Sequence, residues 1–161
     1  MTRQLWAPWR LEYVVQAGEQ EGCVFCREAD DALGDDSLVV HRGSQILVLL
    51  NKFPYSSGHL MIAPVRHVRE LSDLTPDEAA ELHWCTVDAL AALRAVYRPD
   101  AFNVGWNLGA VAGGSIAAHL HQHVVPRWSG DTNFMPVLAD VKVVPEHLRT
   151  TRERLREAWP A

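Results

Sequence analysis

Every second residue of His119-Leu120-His121-Gln122-His123 is a histidine, and Val124-Val125 follows. A strict period of two fits a β-strand, on which alternate side chains share a face. The three imidazoles then stand in one row, with Leu120, Gln122 and Val124 on the opposite face. A lone buried histidine is usually satisfied by its neighbours. Three in one row each need hydrogen-bond partners in the same crowded space. The row therefore calls for a sheet with polar chemistry on one face and core on the other.

The rest of the chain supplies such a sheet. Its 161 residues, 48% of them apolar, suit one domain over 1–161, with an N-terminal arm over 1–20 and a C-terminal extension over 129–161. Strands are expected at Leu38–His41, Ile46–Leu50, Leu60–Ala63, Ala101–Trp106 and His119–Val125, the last stopped by Pro126, with Val141–Val144 a further candidate. Gly43-Ser44 suits a hairpin turn, and Pro54 with Ser56-Ser57-Gly58 a wider one. Thr75-Pro76-Asp77-Glu78 opens a helix with a capping box, and Arg98-Pro99 ends it. A second helix is expected over Glu146–Trp159. Strands in hairpins around one long helix favour α+β with an antiparallel sheet over a parallel βαβ fold.

Composition narrows the function classes. No apolar run is long enough to cross a bilayer. Arg3 and Gln4 lead into Trp6-Ala7-Pro8-Trp9-Arg10 rather than the apolar segment of a secretion signal. The expectation is a cytoplasmic protein without a membrane partner. A net charge of −5 argues against a basic face for nucleic acid but leaves room for single nucleotides.

The histidine row admits two chemistries. It could ligate a metal, although no carboxylate follows until Asp131. Alternatively, one imidazole could act as a nucleophile, with one ring nitrogen held by an acceptor and the other free. The glycine-rich loop Gly109-Ala110-Val111-Ala112-Gly113-Gly114-Ser115 sits just upstream, and such loops bring backbone N–H groups to phosphate oxygens. Cys23-Val24-Phe25-Cys26 has the spacing of a zinc knuckle, of a redox pair, or of two buried thiols. The redox reading would want a helix opening from the pair in a βαβ setting, which the pattern does not offer. Cys85 stands alone in the long helix. His41, His83 and His147 lack any constellation and read as surface or core residues.

The row His119–Val125 resembles the signature of the histidine triad (HIT) family. Asn51-Lys52-Phe53-Pro54, Gly58-His59-Leu60-Met61-Ile62-Ala63-Pro64 and Pro126-Arg127 fall in the family's order, with Gln122 standing where an apolar residue is usual. Within the family, the Trp-x-Pro-Trp-Arg-type opening, Asn103-Val104-Gly105-Trp106-Asn107-Leu108-Gly109 running into Ala112-Gly113-Gly114-Ser115, and the tail beyond Trp128 resemble the diadenosine tetraphosphate phosphorylase branch. So does the spacing between the Gly-Ser element and the first triad histidine.

The resemblance implies roles. His121 is expected to attack the α-phosphorus of a dinucleoside polyphosphate, forming a nucleotidyl-histidine. His123 assists the leaving group, and His119 completes the catalytic row. Asn107, Gly114 and Ser115 hold phosphate oxygens, Asn51 the ribose, and Trp128 lines the substrate site. His59 supports the triad. Inorganic phosphate as co-substrate resolves the intermediate, giving ATP and ADP, with Lys52 and Arg127 as candidates to hold it. In zinc-bearing members, a Cys-x-x-Cys pair joins the first triad histidine and a histidine after the Gly-His strand. Here these are Cys23, Cys26, His119 and His67, which implies a structural zinc. The family also implies a homodimer or higher homo-oligomer.

Three alternatives stand beside this reading. One is a HIT hydrolase acting on dinucleoside polyphosphates or nucleoside phosphoramidates. Another is a non-catalytic, zinc-stabilised module that binds mononucleotides or dinucleotides. The third is a metallohydrolase using the triad as ligands.

Overall fold

In the computed structural model the described residues are 22–30, 37–112, 119–131 and 146–160. The expected N-terminal arm, the strand at Val141–Val144, and Gly113, Gly114 and Ser115 lie outside them. The elements run α1 (Val24–Asp30), β1 (Val39–Arg42), β2 (Ile46–Leu50), β3 (Leu60–Pro64), α2 (Pro76–Tyr97), β4 (Ala101–Trp106), β5 (Gln122–Arg127) and α3 (Leu148–Glu157). Short 3₁₀ turns lie at Leu71–Asp73 and Ala110–Ala112. The five strands form one antiparallel sheet in the order β1-β2-β3-β5-β4, the α+β architecture expected. No helix among the described residues is long and apolar enough to cross a membrane.

The sheet is covered on both faces, so β2 and β3 are apolar and buried at every position. Against one face, Ile46, Val48, Leu50, Leu60, Ile62 and Val124 meet Leu82, Cys85, Ala89, Ala92 and Leu93 of α2 and Leu155 of α3. The fully buried Ala89 and Ala92 let α2 approach the sheet closely. Burial, Glu81 and Asp88 push the Cys85 thiol up to about 11, which keeps it protonated. Against the other face, Leu47, Leu49, Met61 and Ala63 meet Phe25 and Ala29 of α1.

α2 begins as its sequence dictates. Thr75 accepts from the Glu78 N–H at 3.2 Å, and the Glu78 carboxylate accepts from the Thr75 N–H at 2.8 Å. Arg98 ends the helix in the left-handed region at φ 48°, ahead of Pro99. Gly58, at φ +78°, could not carry a side chain. A Cβ there would stand 2.8 Å from Leu93 and 3.3 Å from the Tyr97 ring.

β1 runs Val39–Arg42 rather than Leu38–His41, β3 ends at Pro64 rather than Ala63, and both limits of the histidine strand differ from the sequence expectation. The ladder of the histidine strand starts at Gln122, not His119, because its partner β3 ends at Pro64, which has no N–H to continue the pairing. It then runs through Pro126 rather than stopping there. β3 pairs with β5 only as far as Val124, and beyond it the Pro126 carbonyl accepts from the Ser56 hydroxyl at 2.8 Å. No donor is required of Pro126 on that side. α3 is shorter than expected, Leu148–Glu157 instead of Glu146–Trp159. Glu146 instead accepts from Tyr97, Thr151 and Arg154, tying the entry of α3 to the end of α2.

Glu78 also receives both ends of the Arg66 guanidinium, at 3.0 and 2.8 Å. Arg66, and the Thr75 backbone behind it, hold this buried carboxyl down at about 2. The folded value lies below the ordinary 4.5, so the contribution is complete above that pH and fades as pH falls toward 2. Glu78→Gln should destabilise the fold by about 2 kcal/mol at pH 7. Urea unfolding curves of wild type and variant should converge on acidification, and a gap that stays constant down to pH 2.5 would exclude this account.

Candidate active site

His119, Leu120 and His121 leave the ladder but keep every polar group occupied. The Leu120 N–H donates to the Val68 carbonyl at 2.7 Å. His119 Nε2 donates to the Pro64 carbonyl at 2.8 Å, which turns its Nδ1 lone pair the other way, toward Cys23 and Cys26. His121 Nδ1 donates to the His119 carbonyl at 2.8 Å. In the neutral ring that bond leaves Nε2 as a bare lone pair.

His123 is fixed by a second chain of bonds. The Tyr55 backbone N–H donates to His59 Nδ1 at 3.0 Å, so the proton of His59 sits on Nε2. That Nε2–H donates to His123 Nδ1 at 2.9 Å. The proton of a neutral His123 therefore sits on Nε2, which faces the Asn107 carboxamide at 3.4 Å. The Asn107 atom at that distance is Nδ2, and with the carboxamide rotated half a turn its oxygen accepts from that N–H. The rings of His121 and His123 meet edge to face, with centroids 4.9 Å apart. A bare imidazole nitrogen thus adjoins an imidazole N–H donor, so the pair can offer a nucleophile and a hydrogen-bond donor side by side.

Burial sets the charge state of the row. It pulls His123 down to about 4, with the nearby charge of His121 adding to the effect. It lowers His121 as well, opposed by the bond to the His119 carbonyl. His119 falls to about 4 by burial, against the Pro64 bond and with His67 and His121 assisting. All three rings are neutral near pH 7.

A second cluster shares His119. Donor atoms of Cys23, Cys26, His67 and His119 lie within 4.8 Å of one another. Three of the separations are 3.2 Å (Cys23 Sγ to His119 Nδ1), 3.3 Å (Cys26 Sγ to His67 Nδ1) and 3.7 Å (Cys26 Sγ to His119 Nδ1). Tetrahedral zinc with ordinary Zn–S and Zn–N bonds has edges of roughly 3.3–3.8 Å, so the set fits a closed ion site. The Pro64 carbonyl on the far nitrogen of His119 is the outer partner that ligating histidines usually have. A short helix, α1, does open from the cysteine pair, contrary to the sequence expectation, but within an antiparallel sheet and not a βαβ unit.

The structure brings His59, Asn51, Asn107, His119, His121 and His123 together. Asn51 is 8% exposed, and its Oδ1 accepts from the Phe53 N–H at 2.9 Å, an Asx turn that shapes the loop beside His59. Two expected residues stand apart. Trp128 lies five residues beyond His123 on an extended strand, about 16 Å along it, with its indole N–H on the Tyr97 carbonyl at 3.4 Å. Arg127 engages Asp131 and Asn103 there. Gly114 and Ser115 lie outside the described residues. Of the unassigned histidines, His41 stacks on Trp159 at 4.7 Å, while His83 and His147 are exposed.

Two neighbours of the row escaped the sequence reading. Phe25, between the two cysteines, touches both His119 and His121 with centroids 5.0 Å away. Tyr55 lies over His59 at 4.6 Å and over His123 at 6.0 Å. Their only sequence signal is adjacency, to the Cys-x-x-Cys pair and to Asn51–Pro54.

The deduced tautomers are directly observable. Long-range ¹⁵N–¹H spectra at pH 7 should show His121 protonated on Nδ1, and His123 and His59 on Nε2. In His59→Phe the His123 signal should become a mixture of tautomers, whereas an unchanged His123 would mean that His59 does not set it.

Comparison with known proteins adds four findings. A model of the HIT domain matches residues 34–130. The AP-4-A phosphorylase of Mycobacterium tuberculosis is 43% identical over 98% of this chain and 84% of that protein. The asymmetrical bis(5′-nucleosyl)-tetraphosphatase of Schizosaccharomyces pombe is 32% identical over 59% of this chain and 52% of its own length. Among solved structures, a Zn-bound histidine triad family protein from Mycobacterium smegmatis superposes with a TM-score of 0.66. It is 26% identical, over 85% of this chain and 92% of that one.

Proposed function

The chain belongs to the HIT family, and on that footing we propose that it is a nucleotidyl transferase that phosphorolyses diadenosine tetraphosphate to ATP and ADP. The observation that carries the chemistry is the bare Nε2 of His121 beside the Nε2–H of His123. The choice of reaction is supported by the similarity to the AP-4-A phosphorylase along nearly the whole chain.

In this reading His121 Nε2 attacks the α-phosphorus. An N–P bond forms and the P–O bond to the triphosphate breaks. ATP departs as an anion whose leaving oxygen accepts a hydrogen bond from the His123 Nε2–H, and His123 keeps its proton. His59 holds that ring with its donor outward while the charge develops. A phosphate oxygen then attacks the same phosphorus, the N–P bond breaks, and ADP forms as His121 regains its lone pair. Asn107, Gly114 and Ser115 would hold the phosphoryl oxygens, Asn51 the ribose side, and Lys52 the incoming phosphate. A donor aimed at such an oxygen is worth about 3 kcal/mol.

Cys23, Cys26, His67 and His119 would hold a zinc ion whose contribution is structural. The Zn-bound relative supports this. With both ring nitrogens of His119 engaged, the ring steadies the row and leaves the chemistry to His121 and His123. A homodimer or higher homo-oligomer and a cytoplasmic location belong to the same reading. The end position of β4 and the 63% exposure of Trp84 on α2 support the pairing of copies.

The resemblance to the asymmetrical tetraphosphatase supports one rival, hydrolysis to ATP and AMP. Product analysis separates the two. The proposal expects ATP and ADP from diadenosine tetraphosphate only when phosphate is added, and a loss of at least roughly 10³-fold in His121→Ala. ATP and AMP in phosphate-free buffer would move the protein to the hydrolases. For the metal, we expect one zinc per chain by elemental analysis. Cys26→Ser should lose it and melt about 5 °C lower or more, and a metal-free protein of undiminished stability would reject the site.

A further inference from the structure

The cysteine pair offers a chemistry that a purely structural metal site does not use. Cys23 and Cys26 are half-buried and His67 beside them is exposed, so the cluster opens to solvent. The Arg27 N–H donates to the Cys23 carbonyl at 3.0 Å, which puts both cysteines on one turn at the entry of α1. Their sulfurs lie within 4.8 Å of each other, and closing them to a bond of about 2 Å asks for less than roughly 3 Å of movement, shared between two side chains. Cys85, the third cysteine, is buried against the sheet and its thiol is pushed up to about 11. It does not compete, because the thiolate is the reactive form.

Both sulfurs bear on the histidine row. Cys23 Sγ lies 3.2 Å and Cys26 Sγ 3.7 Å from His119 Nδ1. Phe25, between them in sequence and fully buried, packs on the rings of His119 and His121, each at 5.0 Å. His119 in turn offers its carbonyl to His121 Nδ1 at 2.8 Å. When the sulfurs turn toward each other, His119 Nδ1 loses its partners in a site where the residue is only 3% exposed. A buried nitrogen without a partner is costly, and rotating the ring to find one breaks its bond to the Pro64 carbonyl. Phe25 follows the turn of α1 that carries it. Both movements reach the acceptor that sets the His121 tautomer.

We propose that Cys23 and Cys26 form a reversible thiol–disulfide switch, closed by a hydroperoxide, which releases any ion the cluster holds and withdraws the support of His119 and Phe25 from His121. One thiolate attacks a peroxide oxygen, the O–O bond breaks, and a sulfenic acid and one water form. The other thiolate displaces the hydroxyl, the S–S bond closes, and a second water forms. The two sulfurs lose two electrons, the peroxide gains them, and two protons from solvent complete the balance. The disulfide has lost the thiolate charge that binds a metal. In a reducing compartment such a bond is transient, which suits a sensor and not a staple. The inference rests on the Cys₂His₂ cluster and on His121 as the nucleophile proposed above.

The test follows the wild-type protein before and after hydrogen peroxide, then after dithiothreitol and zinc. Peptide mapping should find Cys23 joined to Cys26 and Cys85 untouched, with zinc released in step and read by a chromogenic chelator. Labelling of His121 by diadenosine tetraphosphate, followed by mass spectrometry without added phosphate, should slow at least about tenfold, the usual cost of losing a supporting partner, and recover on reduction. The ring ¹⁵N signals of His119 and His121 should shift. That of His41, stacked on Trp159 at 4.7 Å, should stay, which separates the switch from unfolding. Thiols that survive peroxide, a bond to Cys85, or a loss that dithiothreitol and zinc do not reverse would each overturn the inference. So would a disulfide that leaves the labelling rate or the ring signals unchanged. Failure of the earlier readings shows separately, in untreated protein that holds no zinc or gives no labelled His121. The disulfide and the ring signals then decide the switch on their own.

Discussion

The reactive face hangs on one hydrogen bond, from His121 Nδ1 to the carbonyl of His119. In a regular ladder that carbonyl would be committed to a neighbouring strand, and the imidazole would have to find another acceptor. By the register Pro64, the last residue of β3, falls opposite Leu120, and the chain from His119 to His121 lies outside the ladder. The segment does not become loose, because the Val68 and Pro64 carbonyls take up Leu120 and the His119 ring. Outside the ladder the His119 carbonyl takes the Nδ1–H of His121 instead, and that bond selects the tautomer of the proposed nucleophile.

Neutrality follows from the same crowding. Rings whose centroids lie about 5 Å apart in a buried site cannot all hold a proton's charge, and burial pulls His119 and His123 to about 4. A neutral imidazole can attack without first losing a proton. The cost falls on the donor, since a neutral imidazole N–H is a weak acid. His59, completely buried and locked by the Tyr55 backbone, holds that donor in place before any charge develops, so that little reorganisation remains for the reaction itself.

How much of this was legible in the sequence differs by feature, for physical reasons. Ile46–Leu50 and Ala101–Trp106 were placed to the residue, and Thr75 with Glu78 marked the start of α2, because period and capping are local properties. The triad, His59 and the Cys₂His₂ set were legible through family spacing. The limits of β5 were not, because they depend on where β3 stops, at a residue 58 positions before Gln122 in the chain. α1 was missed because seven residues are too few to show a helical period. Arg127 and Trp128 follow the triad in sequence, yet a strand carries them away from it at about 3.3 Å per residue, toward Asn103 and Tyr97.

The segment from Pro64 to Val68 shows why stability and chemistry are hard to separate in this fold. Pro64 receives His119, Arg66 is clamped by Glu78 at the head of α2, His67 joins the cysteine cluster, and Val68 receives Leu120. Four contacts made within this five-residue segment join the helix, the metal-type cluster and the histidine row. Arg66 and His67 are themselves exposed, so apolar burial does little to order the strip, and the polar contacts must do it. Such contacts are directional and lose strength steeply with misalignment. A small shift at the head of α2 would therefore reach His119 through this strip, and with it the acceptor that sets the His121 tautomer.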